Sequence, residues 1–82
     1  MKKVFVMTLK EKKEGQTFPE LRRVEAVFAT RSAALRRLAD VFFNYLELSE
    51  GKADIEITNH GGRIQFVDHS VQYWSIEEQE VL

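Results

Sequence analysis

Cysteine is absent from this chain of 82 residues, so neither a disulfide nor a thiolate metal site can stiffen it. The same absence fits a reducing compartment, and the expected location is the cytoplasm. Proline occurs once and glycine four times, and the chain shows no linker, internal repeat or low-complexity segment. No apolar run approaches the roughly 18 residues that span a bilayer. Net charge is also nearly absent, at −1, but that total conceals an uneven distribution. Residues 1–37 hold ten Lys/Arg against four Asp/Glu, giving +6, whereas residues 38–82 hold two against nine, giving −7. A neutral sum can hide two strongly charged surfaces.

At 44% apolar and 11% aromatic the chain is too hydrophobic to be disordered. Its length makes one domain, residues 1–82, with a modest core and little stability in reserve. Association with further copies is the expected source of extra burial.

The opening MKKVFVMTLKEKK sets lysines before an apolar stretch, as a signal peptide does. That stretch covers only Val4 to Leu9, with no small-residue cleavage site after it, so it reads as a strand over 3–10. Phe5, Met7 and Leu9 lie on one face and Val4 and Val6 on the other, which predicts a central strand covered on two sides. Residues 11–19 are polar and punctuated by Gly15 and Pro19, as a long hairpin loop would be. A second strand is expected over 21–29, with Val24, Ala26 and Phe28 on one face and Arg23, Glu25 and Val27 on the other.

A helix follows over 32–48, with Thr30 as its N-cap. Its charges run against its dipole: Arg31, Arg36 and Arg37 come early, Glu47 and Glu50 late. Each misplaced charge costs a few tenths of a kcal/mol. Around Phe42, the residues Leu35, Leu38, Tyr45 and Leu46 form an apolar face, and Val41 and Phe43 stand about 100° to either side. The stripe is wider than one sheet face needs. Val41 and Phe43 therefore become candidates for an oligomer or partner interface, loop cover being the more ordinary explanation.

Ser49, Glu50 and Gly51 stop the helix, with Gly51 suited to a left-handed cap. Residues 53–58 and 63–67 flank Asn59-His60-Gly61-Gly62, a hairpin signal. The expected register sets Thr58 opposite Arg63, Ile57 opposite Ile64, Glu56 opposite Gln65 and Ile55 opposite Phe66. After an Asp68-His69-Ser70 turn, 71–76 forms the last strand. Ser75 and Glu78 match a capping box, but residues 76–82 make barely two turns of helix. A strand ending near Glu77 with a loose or docked tail is preferred. The expected fold is α+β, ordered β-β-α-β-β-β, with one antiparallel sheet and a single helix packed on one face. The opposite face would carry Arg23, Glu25, Glu56, Thr58, Arg63 and Gln65.

No catalytic constellation emerges. Asp68-His69-Ser70 has the letters of a hydrolase triad, yet three consecutive residues cannot each point at the next. His60, His69 and Asp68 match no metal-ligand spacing, so neither metal nor cofactor is expected. Glu77, Glu78 and Glu80 read as a solvated acidic tail. Gly61-Gly62 joins two strands and is not a phosphate loop. The helix start is the better anion or partner contact. There Thr30, Arg31 and Ser32 offer hydroxyls, free N–H groups and a guanidinium, and Arg36 and Arg37 extend the patch. These arginines could instead pair with Glu20, Glu25 or the acidic half of the chain, within one copy or across a dimer. Nucleic acid takes second place to a protein partner, because Phe18 alone supplies an aromatic near the basic residues.

The run from Val24 to Leu35 (VEAVFATRSAAL) sets Val-Phe-x-Thr at a strand end and x-x-x-Ala at a helix start. Preceded by a strand such as Lys3 to Leu9 and closed by Tyr73-Trp74-x-Ile76-Glu77, it resembles small uncharacterised α/β proteins of phages, prophages and bacterial mobile elements. In that pattern Thr30 caps, Ala34 packs and Phe28 fills the core. The resemblance implies a cytoplasmic accessory protein that inhibits or modulates a host or defence protein, and it supplies no catalytic residue. The sequence thus predicts a non-enzymatic protein-binding module acting as an oligomer, with a binder of nucleic acid or a small anion as the alternative.

Overall fold

A computed structural model describes residues 2–81. The elements run β1 (Lys2–Lys12), β2 (Glu20–Phe28), α1 (Arg31–Leu48), β3 (Asp54–Thr58), β4 (Gly61–Gln65) and β5 (Val71–Val81). The five strands form one antiparallel sheet in the order β2-β1-β5-β4-β3. The expected β-β-α-β-β-β order and single covering helix are both present. Among the described residues, no helix is long and apolar enough to cross a membrane.

The core is where the helix meets the sheet. Phe42, Leu38 and Ala34 of α1 are buried, together with Met7, Leu9, Ile64, Trp74 and Ile76 from the strands below. Phe42 meets Trp74 edge to face with ring centroids 6.0 Å apart, and Tyr45 meets Phe66 likewise at 5.3 Å. Gly62 makes the seat for Phe42: a Cβ there would lie 2.7 Å from Phe42 Cε2 and 2.8 Å from the Glu56 carbonyl oxygen. Its neighbour Gly61, at φ +143°, lets β4 approach β5 so closely that a Cβ would meet the Trp74 carbonyl oxygen.

Both glycines therefore belong to a strand, and the hairpin turn is Asn59-His60 alone. Thr58 pairs with Gly61, Ile57 with Gly62, Glu56 with Arg63 and Ile55 with Ile64. The register is displaced by two residues from the expected one. Because strand faces alternate with period two, the shift leaves every side chain on its expected face. That is why the apolar pattern could not detect it.

A different irregularity does move side chains. The β1–β2 ladder shifts between Met7 and Thr8 and again between Leu9 and Lys10. Ala26 pairs with Met7 but Val24 with Thr8, so Glu25 is the extra residue of a bulge. Val24 consequently joins Val27 on the uncovered face, each 58% exposed, and Arg23 moves opposite Leu9 on the helix side. The expected faces of Val24, Arg23 and Glu25 are corrected accordingly. Glu56, Thr58, Arg63 and Gln65 do lie on the uncovered face, where Arg63 is 3.5 Å from Asp54 and 3.8 Å from Glu56. Among the described residues nothing covers the second side of β1, where Val4 and Val6 are half-buried.

The tail also departs from expectation. β5 continues past Glu77 to Val81, paired with β1 along its whole length, up to Val81 opposite Lys2. β1 itself extends to Lys12, which shortens the loop to residues 13–19. Residue 82 of the expected tail lies outside the described residues.

The helix stop is a Schellman motif in which Gly51 N–H donates to Leu46 O at 2.8 Å and Glu50 N–H to Glu47 O at 3.1 Å. The residue that this motif places in the left-handed region is Glu50, at φ 57°, with Gly51 following at φ 79°. A side chain costs about 1 kcal/mol in that conformation, and a carboxylate at a helix C-terminus adds to the penalty. Glu50→Gly is expected to stabilise the protein by about 1 kcal/mol, read as a Tm rise of about 4–8 °C. An unchanged or lower Tm contradicts the left-handed assignment.

Candidate functional site

The residues proposed around the helix start separate into two groups once they are placed. Thr30 is extended (φ −135°, ψ 155°), and its Oγ1 accepts the Ala33 N–H at 3.1 Å, so the hydroxyl is occupied by capping. Arg31 turns away from the patch. Its Nη1 donates to the Asn59 carbonyl at 2.6 Å, and its guanidinium carbon lies 5.1 Å from the centroid of the Phe5 ring. Arg31 thus ties the helix start to the β3–β4 turn, a structural role that neither the charge pattern nor the spacing indicated.

Ser32, Arg36 and Arg37 remain at the surface. With Thr30, Ala33 and Asp40 they line a shallow hollow of about 400 Å³. Among the described residues no salt bridge or hydrogen bond engages either Arg36 or Arg37. Glu25, one of the intramolecular partners considered for them, is held by Arg23 instead. The helix has no acidic residue in its first turn and no basic residue in its last. Two cations therefore stand near a positive helix end without an ion pair among the described residues, and Asp40 shares their hollow.

Arg37 and Asp40 also border a larger open groove of about 870 Å³ between α1 and the β2 side of the sheet. Leu9, Val41 and Trp74 form its apolar floor, and Glu11, Arg23, Glu25, Asn44, Tyr45 and Gln72 complete the rim. Trp74 Nε1 donates to Gln72 Oε1 at 3.2 Å. Side chains of both signs share this rim, which suits a mixed polar segment better than a polyanion. The bulge at Glu25 shapes the groove by bringing Arg23 to the helix side of the sheet, and no sequence signal marks that bulge.

Val41 and Phe43 separate as well. Val41 is partly buried against the core and lines the groove floor. Phe43, on the opposite flank of Phe42, is 58% exposed.

The polar turn residues are engaged locally. The Asp68 carboxylate accepts from Ser70 Oγ and from Ser70 N–H at 2.9 Å, which closes the turn. These two bonds hold its pKa below the ordinary aspartate value. Their contribution to the turn is present above the unfolded pKa and lost as pH falls through the folded one. His69 adopts φ 68° in the same turn and borders a different hollow from His60. Among the described residues, no group of three or more His, Asp or Glu side chains is placed to hold a metal ion.

Compared with known proteins, the chain matches no family model, and no curated protein or solved structure gives a significant match.

The two groups of arginines differ in a measurable way. Arg31→Ala is expected to cost about 1–2 kcal/mol, from a hydrogen bond to a backbone carbonyl and a ring contact. Arg36→Glu with Arg37→Glu should leave the melting temperature unchanged or slightly raised, because both charges oppose the dipole. Thermal unfolding of the two variants decides it. A large loss in the second shows that Arg36 and Arg37 are structural.

Proposed function

We propose that the protein is a non-enzymatic protein-binding module that works as a homodimer, its two sheets packed face to face and its helices turned outward. One observation carries the reading: a single helix covers one face of five strands, and the bare face is not a polar one. Its β2–β1 half presents Val24 and Val27 to solvent beside Val4 and Val6, and its β4–β3 half carries Arg63, Asp54 and Glu56. Antiparallel sheets that face water alternate cleanly between apolar and polar sides, and this one does not.

The occupant that fits is a second copy. A two-fold axis in the plane between the sheets and across the strands sets β1 on β1 and the valine halves together. The same operation reverses strand direction, so the two β1 strands run antiparallel across the interface. The molecule measures 43 × 27 × 16 Å. Its broad side accommodates the roughly 800 Å² per partner of a standard interface.

Such a dimer leaves Arg36, Arg37 and Phe43 on its outer surfaces, available to a different protein. The strand-to-helix cassette from Val24 to Leu35 supports placing this module in the cytoplasm, as an inhibitor or modulator of a host or defence protein in a phage or mobile-element setting. Arg36 and Arg37, unpaired among the described residues, also favour a second reading, in which they hold an anionic ligand or nucleic acid. That binding would weaken steeply with added salt.

Sedimentation equilibrium at micromolar concentration is expected to give a mass well above the 9.6 kDa of one chain. Val24→Lys with Val27→Lys should return it to a folded monomer, since both side chains are exposed in the single copy. A clean monomer for the unaltered chain contradicts the dimer.

A further inference from the structure

β5 outruns its neighbour. β4 pairs with it only from Gln65 opposite Val71 to Gly61 opposite Ser75, and the last bond on that side runs from Ile76 N–H to the His60 carbonyl at 2.8 Å. In an antiparallel strand the N–H and C=O of one residue point to the same side, and successive residues alternate. Ile76, Glu78 and Glu80 therefore turn their main-chain groups toward the β4 side, and Glu77, Gln79 and Val81 turn theirs toward β1. Beyond His60 nothing among the described residues meets Glu78 or Glu80 on that side. The segment is nonetheless held extended, because its ladder with β1 continues to Lys2 opposite Val81.

We propose that this open edge of β5, at Glu78 and Glu80, receives an extended lysine- or arginine-rich segment of a partner protein, which joins the sheet as an added strand. The proposal rests on the protein-binding reading and names the partner's chemistry. Strand addition draws its affinity from main-chain hydrogen bonds and its selectivity from the side chains along the edge. The edge supplies both. Proline, lysine and bulges, which commonly protect exposed strands, are missing from Glu77 to Val81. Its side chains are three glutamates, a glutamine and a valine. Lys2 and Lys3 of β1 stand opposite Val81 and Glu80, and Lys3 Nζ lies 3.8 Å from Glu78 at an exposed pair, an arrangement worth little and readily exchanged.

A second copy of the chain does not fit this edge. Two β5 strands related by a two-fold axis must pair antiparallel through Glu78 and Glu80. Every register that uses both residues sets a glutamate directly opposite a glutamate. Like charges in that position are destabilising. The same side chains favour a strand with Lys or Arg at alternate positions. The acidic edge thus rejects self-pairing and selects a basic partner.

The test titrates the isotope-labelled full chain with three capped peptides: alternating Lys and Val, alternating Glu and Val, and the Lys–Val peptide with a central proline. The Lys–Val peptide is expected to bind and to slow amide hydrogen exchange at Glu78 and Glu80. The Glu–Val and proline-containing peptides should not. Glu78→Lys with Glu80→Lys should keep the fold, both side chains being exposed, and weaken Lys–Val binding at least about tenfold. Equal binding of the proline-containing peptide overturns the proposal, because charge alone then suffices. Protection at the valine face or near Arg36 and Arg37 instead of Glu78 and Glu80 also overturns it, while leaving the protein-binding reading in place. No binding by any of the three removes this edge as a site, and the dimer measurement still decides the wider reading.

Discussion

The ladder between β1 and β5 runs through every residue from Lys2 opposite Val81 to Lys12 opposite Val71, longer than any other pairing in the sheet. The other elements are placed by reference to it. β2 attaches along one side of the ladder and β4 along the other, but each stops short of the end that holds Lys2 and Val81. The helix packs over its middle, where Met7, Leu9, Trp74 and Ile76 supply the buried floor. Because side chains alternate along both strands, burying these residues necessarily leaves Val4, Val6, Ser75 and Glu77 on the other side. One pairing thus creates the core, the bare face and the unpaired edge together.

This arrangement explains why the interior depends on so few contacts. The fully buried large side chains are Phe42, Met7, Leu38 and Ile64. Each lies where α1 crosses the sheet, and Gly62 lets Phe42 come down against it. Truncating a side chain of this kind typically costs 2–5 kcal/mol, a large part of the stability of a small domain. Surface ion pairs such as Lys3–Glu78 and Arg63–Asp54 do not compensate on that scale. A chain built this way has reason to obtain further burial from a second copy.

Much of the fold could be read from the sequence because its signals are local. Thr30 caps α1, the spacing of Leu38, Phe42, Tyr45 and Leu46 defines its inner face, and alternation along Ile55, Ile57 and Ile64 assigns the hairpin faces. Most of what escaped detection depended on partners distant in sequence. The bulge at Glu25 exists only in the pairing with Met7 and Thr8, so the strand pattern placed Arg23 and Val24 on the wrong sides. The two-residue displacement of the β3–β4 register changed no face, and apolar periodicity is blind to such a shift. The tail looked ambiguous because Glu77, Glu78 and Glu80 have no local preference for strand, and β1 supplies the order that they lack. Arg31 was counted with Arg36 and Arg37 because all three are early helical cations. Only the approach of Asn59 and Phe5 separates a structural arginine from the two left free.

The β1–β5 ladder persists to its far end. Residue-resolved amide hydrogen exchange on the full chain tests it directly, because the ladder imposes an alternation that neither a helix nor a loose tail would give. Glu77 and Gln79, whose N–H groups turn toward β1, should exchange slowly, and Glu78 and Glu80 should exchange at rates close to those of an open chain. Rapid exchange at all four residues would mean that the strand ends near Ile76 and that β1 does not hold the tail.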